Sequence, residues 1–303
     1  MRIFVTGASG HLGSAVIPDL LAAGHQVVGL ARSDAAAVTV EKLGAEVRRG
    51  DLDDLDGLRA AAAAADGVIH LAFRHDLMVS GDIEGAARAD LAGIEAIAGA
   101  LAGSGKPLVG TSGTLMAAFA APGQIGTEEV AGESGYRIDA ENLVVGLAGR
   151  EVRSSVIRLP PTVHGDLDRH GFIPGMIAIA RQRGYAAYLG EGANRWPAVH
   201  TLDAARLYRL AVESAPAGSR WHAVADEGVA LSEIAAAIGL GLDVPVRSLS
   251  PDEVGDYFGF LALPAQIDNP STSTITRSRL GWQPQHPGLI EDLAQGHYFR
   301  DTL

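Results

Sequence analysis

The chain has no cysteine, a shortage of basic residues relative to acidic ones, and no long apolar run. Without cysteine it can form no disulfide, thiolate metal site or cysteine nucleophile. Its 24 lysines and arginines against 36 aspartates and glutamates give a formal charge of −12, which repels nucleic acid and anionic membranes, so we expect neither as a partner. No apolar run reaches the roughly 18 residues of a membrane helix, and Met1 leads directly into a strand pattern without a signal segment. We therefore expect a cytoplasmic protein.

What the chain does contain is a regular alternation of short apolar runs and helical patterns. RIFVTG is followed by LGSAVIPDLLAAG, HQVVGLA and AAVTVEKLG, and the alternation continues as far as VRSSVIRLP. This order predicts an α/β fold built on a Rossmann-type, doubly wound parallel sheet. After Leu159 the composition shifts to Pro, Gly, His and aromatic residues. We expect a first domain over residues 1–160 with a returning segment near 196–215, and a smaller C-terminal α/β domain mainly over 161–303.

The strongest motif is VTGASGHLG at residues 5–13, where Gly7, Gly10 and Gly13 fall between a strand and a helix. Glycines allow the backbone to approach a pyrophosphate closely, and the helix N-terminus adds free N–H groups and the positive end of a dipole. The motif therefore predicts that residues 1–160 bind NAD(P). The alternative is a glycine-rich turn without a ligand.

The end of the second predicted strand indicates which dinucleotide is bound. NAD-binding chains usually carry Asp or Glu there, whereas VVGLARSD has Arg32 and Ser33, with Asp34 close by. A guanidinium and a hydroxyl favour a 2′-phosphate, so we expect NADP(H) rather than NAD(H). In GDL, which ends the next strand, Asp51 would accept a hydrogen bond from the adenine amino group or cap the following helix.

Together these motifs resemble those of the short-chain dehydrogenase/reductase superfamily in its extended, epimerase/dehydratase-like form. HLA at 70–72, RLPPTVHG at 158–165, WPAVHTLDAA at 196–205 and RLGWQP at 279–284 resemble later segments of that family. The resemblance implies a small-molecule substrate, a cofactor bound by the first domain, a substrate pocket in the second, and pairing into a homodimer. Besides the residues already named, the cofactor contacts that it implies are Ser9, His11, Leu12, Leu52, Leu71, Ala72, Phe73, Pro160 and Val163.

The family's catalytic Tyr-x-x-x-Lys pair is not found in its usual form. GESGYRIDAEN, residues 132–142, predicts the start of a helix, and aligning Glu141 with the glutamate that often follows the lysine puts Glu133 and Arg137 in the two positions. This resembles an atypical subgroup of the family in which a basic residue pair replaces the tyrosine and lysine, often with His where this chain has Glu133. Arg137 could hold the ribose of the cofactor but cannot relay a proton, so the acid must be another group, with Glu133 and Tyr136 as the candidates, or a water chain. Their structural alternatives are a first-turn carboxylate and a packing ring.

Three further groups are candidates for the substrate side. Ser112 in GTSGT is our choice for the hydroxyl that polarises the reacting carbonyl, with Thr114 beside the substrate; turn-forming hydroxyls are the alternative. HGDLDRH at 164–170 has metal-ligand residue types at every second position. It follows Pro160 and Pro161 and contains a glycine, which predicts a loop, so we expect no metal. His164, Trp196 and His200 are expected to line the pocket, although Trp196 would equally seal the interface between domains.

Three functions fit these residues. The first is an NADPH-dependent oxidoreductase that reduces a ketone, aldehyde or imine. The second is an epimerase or dehydratase that retains its cofactor and acts on a nucleotide sugar, with Arg158, Arg169, Arg181, Arg183 and Arg195 as candidates to bind the diphosphate. The third is a non-catalytic sensor that binds NADP without turning it over.

Overall fold

The computed structural model describes residues 1–300, with Val79 described by its backbone alone. The strands, in chain order, are β1 (Arg2–Thr6), β2 (Gln26–Ala31), β3 (Glu46–Arg49), β4 (Gly67–His70), β5 (Pro107–Gly113), β6 (Arg153–Leu159), β7 (Thr162–His164), β8 (Ala186–Leu189), β9 (Arg195–His200), β10 (Ser219–His222), β11 (Asp226–Ala230) and β12 (Val246–Leu249). The α-helices are α1 (Gly13–Ala22), α2 (Asp34–Lys42), α3 (Leu55–Ala64), α4 (His75–Val79), α5 (Ile83–Leu101), α6 (Thr114–Ala120), α7 (Ile138–Gly146), α8 (Phe172–Arg183), α9 (Thr201–Ser214), α10 (Leu231–Leu242), α11 (Pro251–Phe258), α12 (Thr274–Leu280) and α13 (Leu289–Ala294).

Seven of the strands form one parallel sheet in the order β10-β6-β5-β4-β1-β2-β3. The apolar runs that predicted β1, β2, β4, β5 and β6 are largely buried on both faces, as expected for parallel strands covered by helices, whereas the edge strand β3 is partly exposed. The order reverses at β1, because β2 lies on one side of it and β4 on the other. Ligands of such sheets bind beyond the carboxyl ends of the strands at this point of reversal. The predicted α/β, doubly wound fold is confirmed.

Helices cover both faces of this sheet. Ile3 and Val5 of β1 face a core that also contains side chains of α1 and α9, whereas Phe4 faces a core shared with α3 and α5. The alanine-rich stretch at residues 60–65 lies largely in α3, where Ala61 and Ala62 are buried against the sheet. Among residues 1–300, no helix combines the length and apolar character needed to cross a bilayer.

The second part of the chain adds two small sheets, one of β11, β9 and β7 and one of β12 and β8. Helices α8, α10, α11 and α13 surround them and share a separate apolar core. The chain returns to the first part twice, because α9 packs on the large sheet and β10 pairs with β6 at its edge. The loops that follow β1, β4 and β5 therefore lie at one edge of the large sheet, beside the second part of the chain.

Candidate active site

The turn after β1 is shaped by its glycines. Gly7 has a φ of +66°, and a Cβ there would lie 2.8 Å from the backbone nitrogen of Ala72. A Cβ on Gly13 would lie 2.5 Å from the carbonyl oxygen of Ala8. The turn closes through a hydrogen bond from Gly10 N to Gly7 O of 3.0 Å. The backbone segments of the turn thus lie too close to one another for side chains at Gly7 and Gly13. A tight glycine turn of this kind, at the start of a helix, is typical of pyrophosphate-binding loops.

A buried polar chain fixes the loop after β4 against this turn. The hydroxyl oxygen of Thr6 accepts hydrogen bonds from the backbone N–H groups of Leu71 and Ala72, both at 3.1 Å, and lies 2.9 Å from Nδ1 of His70. Nε2 of His70 lies 3.3 Å from a carboxylate oxygen of the buried Asp90 on α5. Because these groups are buried and bonded to each other, they hold Leu71 and Ala72 at the edge of the sheet.

The residues expected near the adenosine lie at the ends of β2 and β3. Arg32 is exposed, and the Ser33 hydroxyl accepts from Ala36 N to cap α2, which leaves its own hydrogen free to donate. Asp34 forms an ion pair with Arg49 at 2.6 Å. Just after β3, one carboxylate oxygen of Asp51 accepts hydrogen bonds from the backbone N–H groups of Asp53 and Asp54. Asp51 is therefore a turn residue rather than the cap of α3, and Leu52 beside it is buried.

Helix α7 begins later than expected. It starts at Ile138, and Arg137 precedes it with φ 58° and ψ −19°, so Glu133 and Arg137 do not share a helix face and that prediction was wrong. Gly132 and Gly135 lie in the preceding loop, and Gly135 has a φ of +131°, which interrupts a helix. Asn142 holds the loop by donating to the Gly132 and Glu133 carbonyls, while the Glu133 residue itself is exposed.

Arg137 nevertheless lies at the carboxyl edge of the sheet. Its guanidinium donates to the Thr111 carbonyl at the end of β5, at 2.7 Å, and its Cζ lies 4.3 Å from the centre of the Phe73 ring. A non-glycine residue in the left-handed region is uncommon, and such residues cluster at functional sites. The arginine is thus held between the ends of β4 and β5.

Tyr136 and Ser112 lie close to this arginine. The Tyr136 hydroxyl donates to Sδ of Met78 at 3.3 Å, and its ring meets Phe73 edge to face. Burial raises the pKa of Tyr136 above its usual value, and the charge of Arg137 offsets only part of this rise. The Ser112 hydroxyl is buried and has no hydrogen-bond partner among the described residues. The hydroxyl nevertheless lies beside the buried Glu141 carboxylate and helps to keep the pKa of that carboxyl low. A ligand carbonyl at this strand end would therefore compete with Glu141 for the Ser112 proton.

Two of the candidates for the substrate side have structural roles instead. Trp196 is fully buried in the core of the second part, where its ring packs on Phe172 and its indole N–H donates to the Pro264 carbonyl at 3.1 Å. It therefore cannot line a pocket, contrary to our expectation. The Thr114 hydroxyl is buried at the start of α6 and accepts from the Asn269 side chain at 2.8 Å, which ties α6 to the C-terminal segment.

His164 and His200 belong to a histidine cluster beside the glycine turn. Nδ1 of His164 lies 2.9 Å from the Asp292 carboxylate, and its ring meets that of His200 edge to face at 5.5 Å. His11 of the glycine turn contacts Thr201 at 2.7 Å; burial, with His200 and His164 nearby, lowers its pKa to about 4.

Pro160 is buried, and Val163 packs on the core beneath the turn. No group of three metal-ligating side chains suited to a metal ion occurs among residues 1–300.

The structure also places near the site a residue that sequence reasoning missed. His75, the first residue of α4, packs its ring edge to face on Phe73 with 5.1 Å between ring centres. Phe73 therefore contacts His75, Tyr136 and Arg137. In the sequence His75 lies in a polar stretch after β4 with no motif around it, so only the proximity created by folding distinguishes it.

Most arginines considered for a diphosphate are already engaged. Arg158 is fully buried and ion-paired with Glu141, Arg183 pairs with Asp256, and Arg195 makes a two-pronged pair with Asp268. Arg181 donates to the Phe299 carbonyl. These partners anchor the second part of the chain to itself or, for Arg158, hold α7 on the sheet. Of the five candidates, Arg169 alone is exposed without such a partner among the described residues, so these arginines do not form a free cluster for a diphosphate.

Comparison with known proteins gives a consistent result. The model of the NAD dependent epimerase/dehydratase family matches residues 3–223. An uncharacterised protein of Schizosaccharomyces pombe is 46% identical over 301 residues, which cover 99% of this chain and 100% of that protein. A 2-alkyl-3-oxoalkanoate reductase of Stenotrophomonas maltophilia is 28% identical over 230 residues, covering 72% of this chain and 67% of the reductase. The UDP-glucose 4-epimerase of Thermus thermophilus in complex with NAD has a TM-score of 0.77 at 21% identity, with 100% of both chains covered. At that identity the last comparison concerns the fold alone.

Proposed function

The chain belongs to the NAD dependent epimerase/dehydratase family, as its resemblance to extended short-chain dehydrogenases/reductases predicted, and we propose that it is an NADPH-dependent reductase of an uncharged carbonyl compound. The observation that carries the proposal is the position of Arg137. Its guanidinium lies between the ends of β4 and β5 and donates to the carbonyl of Thr111, the residue before Ser112. A fixed cation and a neighbouring serine hydroxyl together suit a carbonyl oxygen that gains negative charge.

The chain's own residues suit a dinucleotide at this edge. Glycine is required at residues 7 and 13, because a Cβ at either position would collide with neighbouring backbone. The loop of Leu71 and Ala72 is fixed beside this turn. When bound, the reduced dinucleotide supplies a hydride. Arg137 would hold the ribose hydroxyls with its fork of donors, which is the part of the usual lysine's role that arginine can perform.

The end of β2 supports a preference for NADPH over NADH. Ala31 ends the strand without a carboxylate to bind the ribose, and the exposed Arg32 follows it. Asp34 forms an exposed ion pair with Arg49. Asp76 lies close enough to Arg32 for this guanidinium to help lower its pKa, and it is paired with Arg74. A 2′-phosphate would thus meet the Arg32 guanidinium and the Ser33 hydroxyl without facing an unpaired carboxylate.

The charges on the substrate side support an uncharged substrate. A nucleotide sugar carries a diphosphate that needs cations, whereas Arg158, Arg183 and Arg195 are neutralised by carboxylates of this chain. Freeing Arg158 would leave the buried Glu141 without its partner, at a cost that binding would have to offset. The pairs of Arg183 and Arg195 are exposed and contribute little, so only Arg158 supports this point. The reductase relative named above is named for a 3-oxoalkanoate, whose keto group fits carbonyl reduction as the reaction class. Because that compound is a carboxylate anion, the relative supports the reaction and not the charge of the substrate.

The test is NADPH consumption by the purified protein against a panel of ketones, aldehydes and imines, with NADH in parallel. Turnover that prefers NADPH supports the proposal. If NADPH binds but no panel member is reduced, the reductase proposal fails, and conversion of nucleotide sugars with tightly retained cofactor would then be tested by product analysis. Binding without either reaction would leave the protein a non-catalytic NADP-binding module.

A further inference from the structure

His75 lies where this site needs a proton donor. The loop from β4 carries Phe73 and then His75, and β4 is paired with β5, which ends at Ser112 and Gly113. Arg137 covers the Phe73 ring at 4.3 Å, and the His75 ring meets Phe73 at 5.1 Å. His75 also remains partly exposed to solvent. It is therefore close to the arginine of the site and can exchange protons with water.

The other acids near the site are poorly suited to donate. Arginine does not deprotonate in proteins, so Arg137 is excluded. The Tyr136 hydroxyl is turned to the Met78 thioether and is a weaker acid than an ordinary tyrosine. Glu133 is an exposed residue in a loop ahead of α7 rather than on the helix face beside Arg137. Of the titratable side chains that surround Phe73, this leaves the imidazole, the group most often used for proton transfer at neutral pH.

We propose that His75 is a catalytic residue that contacts the substrate and delivers the proton in carbonyl reduction, an inference that rests on the function proposed above. The carbonyl carbon would accept a hydride from the reduced dinucleotide: the electron pair of the hydride would form the new C–H bond, and the pair of the C=O π bond would become a lone pair on the oxygen. That oxygen takes the proton of the His75 imidazolium, so the products are an alcohol, the oxidised dinucleotide and neutral imidazole. The imidazole then regains a proton from water.

The charged groups around His75 determine the pH at which it works. Burial lowers the pKa of His75, the positive Arg137 lowers it further, and Asp76 on its own helix and Asp90 on α5 raise it in part, as does a backbone hydrogen bond at Phe73. In the reductive direction the protonated form is required, so kcat/KM falls as the pH rises through this pKa. In alcohol oxidation the neutral form is required, so the rate rises through the same pKa.

The kinetic test compares the wild type with His75→Gln, which keeps a polar side chain of similar length but does not titrate. We expect reduction to fall by ~10²-fold or more at low pH, the His75-dependent limb of the pH profile to disappear, and NADPH affinity to stay unchanged. His25→Gln is the control, because His25 precedes β2 at the opposite edge of the sheet. If the wild type reduces a carbonyl compound and His75→Gln reduces it at the same rate with the same pH profile, His75 is not the proton donor. The proposal that the protein is a reductase would be unaffected by that result. If the wild type reduces none of the panel, both proposals fail.

A second measurement does not depend on turnover. The His75 imidazole is titrated by NMR in the protein without cofactor, with its signal assigned by its loss in His75→Gln, and the titration is repeated in Arg137→Gln. Removal of the cation raises the pKa of His75 if the two side chains share one site. An unchanged pKa would separate His75 from Arg137 and overturn the assignment.

Discussion

At the scale of single residues, Arg137 combines an unfavourable backbone with a fixed side chain. Its φ of 58° costs an L-residue about 1 kcal/mol that glycine does not incur. We predict that Arg137→Gly and Arg137→Ala lower kcat/KM with NADPH equally, by roughly 10- to 100-fold, because both lose hydrogen bonds from a charged donor. The glycine variant should be about 1 kcal/mol more stable than the alanine variant in denaturant unfolding. Equal stabilities, or full activity in either variant, would contradict the assigned conformation or role.

The second prediction at this scale concerns Arg32 and the choice between NADPH and NADH. If it binds the 2′-phosphate, Arg32→Ala raises the Kd for NADPH by roughly 10- to 100-fold, since a charge-assisted hydrogen bond contributes about 1.5–3 kcal/mol. The Kd for NADH should not change. Arg59→Ala is a matched control, because Arg59 is an exposed arginine on α3 paired only with Asp56. An equal loss for both dinucleotides would show that Arg32 contacts a part common to both.

At the scale of elements, α7 is held on the sheet by a buried ion cluster. Glu141 accepts from Arg158 at 2.9 Å and from Arg220 at 2.7 Å, and these arginines, despite its burial, keep the pKa of its carboxyl below the usual value. Glu141→Ala should destabilise the protein by about 3–5 kcal/mol, because the buried Arg158 and the half-buried Arg220 lose their counter-ion. Chemical denaturation measures this. The exposed neighbour Asp139 provides the control through Asp139→Ala, and a loss no larger than that control's would contradict the argument.

The elements also show which features the sequence could predict. Strands β1 to β6 and the glycine turn follow from local apolar periodicity and from glycine's conformational freedom, so they were predictable. The start of α7 was not, because Gly132 and Gly135 interrupt a pattern that otherwise reads as helical from residue 132. Trp196 reads equally well as a pocket or a core residue, and only the packing of Phe172 and Pro264 around it decides. His75 joins the site through tertiary proximity, which carries no local signal.

At the scale of the whole molecule, the two parts of the chain meet at buried titratable groups. Burial, with His200 and His164 nearby, lowers the pKa of His11 to about 4, below the ordinary value of 6.5. Between pH 6.5 and pH 4 the His11 side chain is therefore protonated in the unfolded chain but neutral in the folded protein. Stability that is present above pH 6.5 is lost as the pH falls toward 4. Asp168 has the opposite sign, because burial raises its pKa to about 6 and the folded protein takes up its proton first. His222, whose pKa burial lowers to about 4, adds to the effect of His11.

His75 and His200, whose pKa values are also lowered, act in the same direction as His11 and His222, so the histidines outweigh the one buried acid and acidification destabilises the protein. Between pH 7.5 and pH 5 we expect the free energy of unfolding to fall by at least about 2 kcal/mol, since one pKa unit corresponds to about 1.4 kcal/mol. Denaturant unfolding at a series of pH values measures the slope. Asp168→Asn removes the opposing contribution, so its slope should be steeper by about 1 kcal/mol over the same range, most of it below pH 6. A wild-type stability that is flat or rises toward pH 5, or a variant with the same slope, would mean that these groups do not titrate as their burial requires.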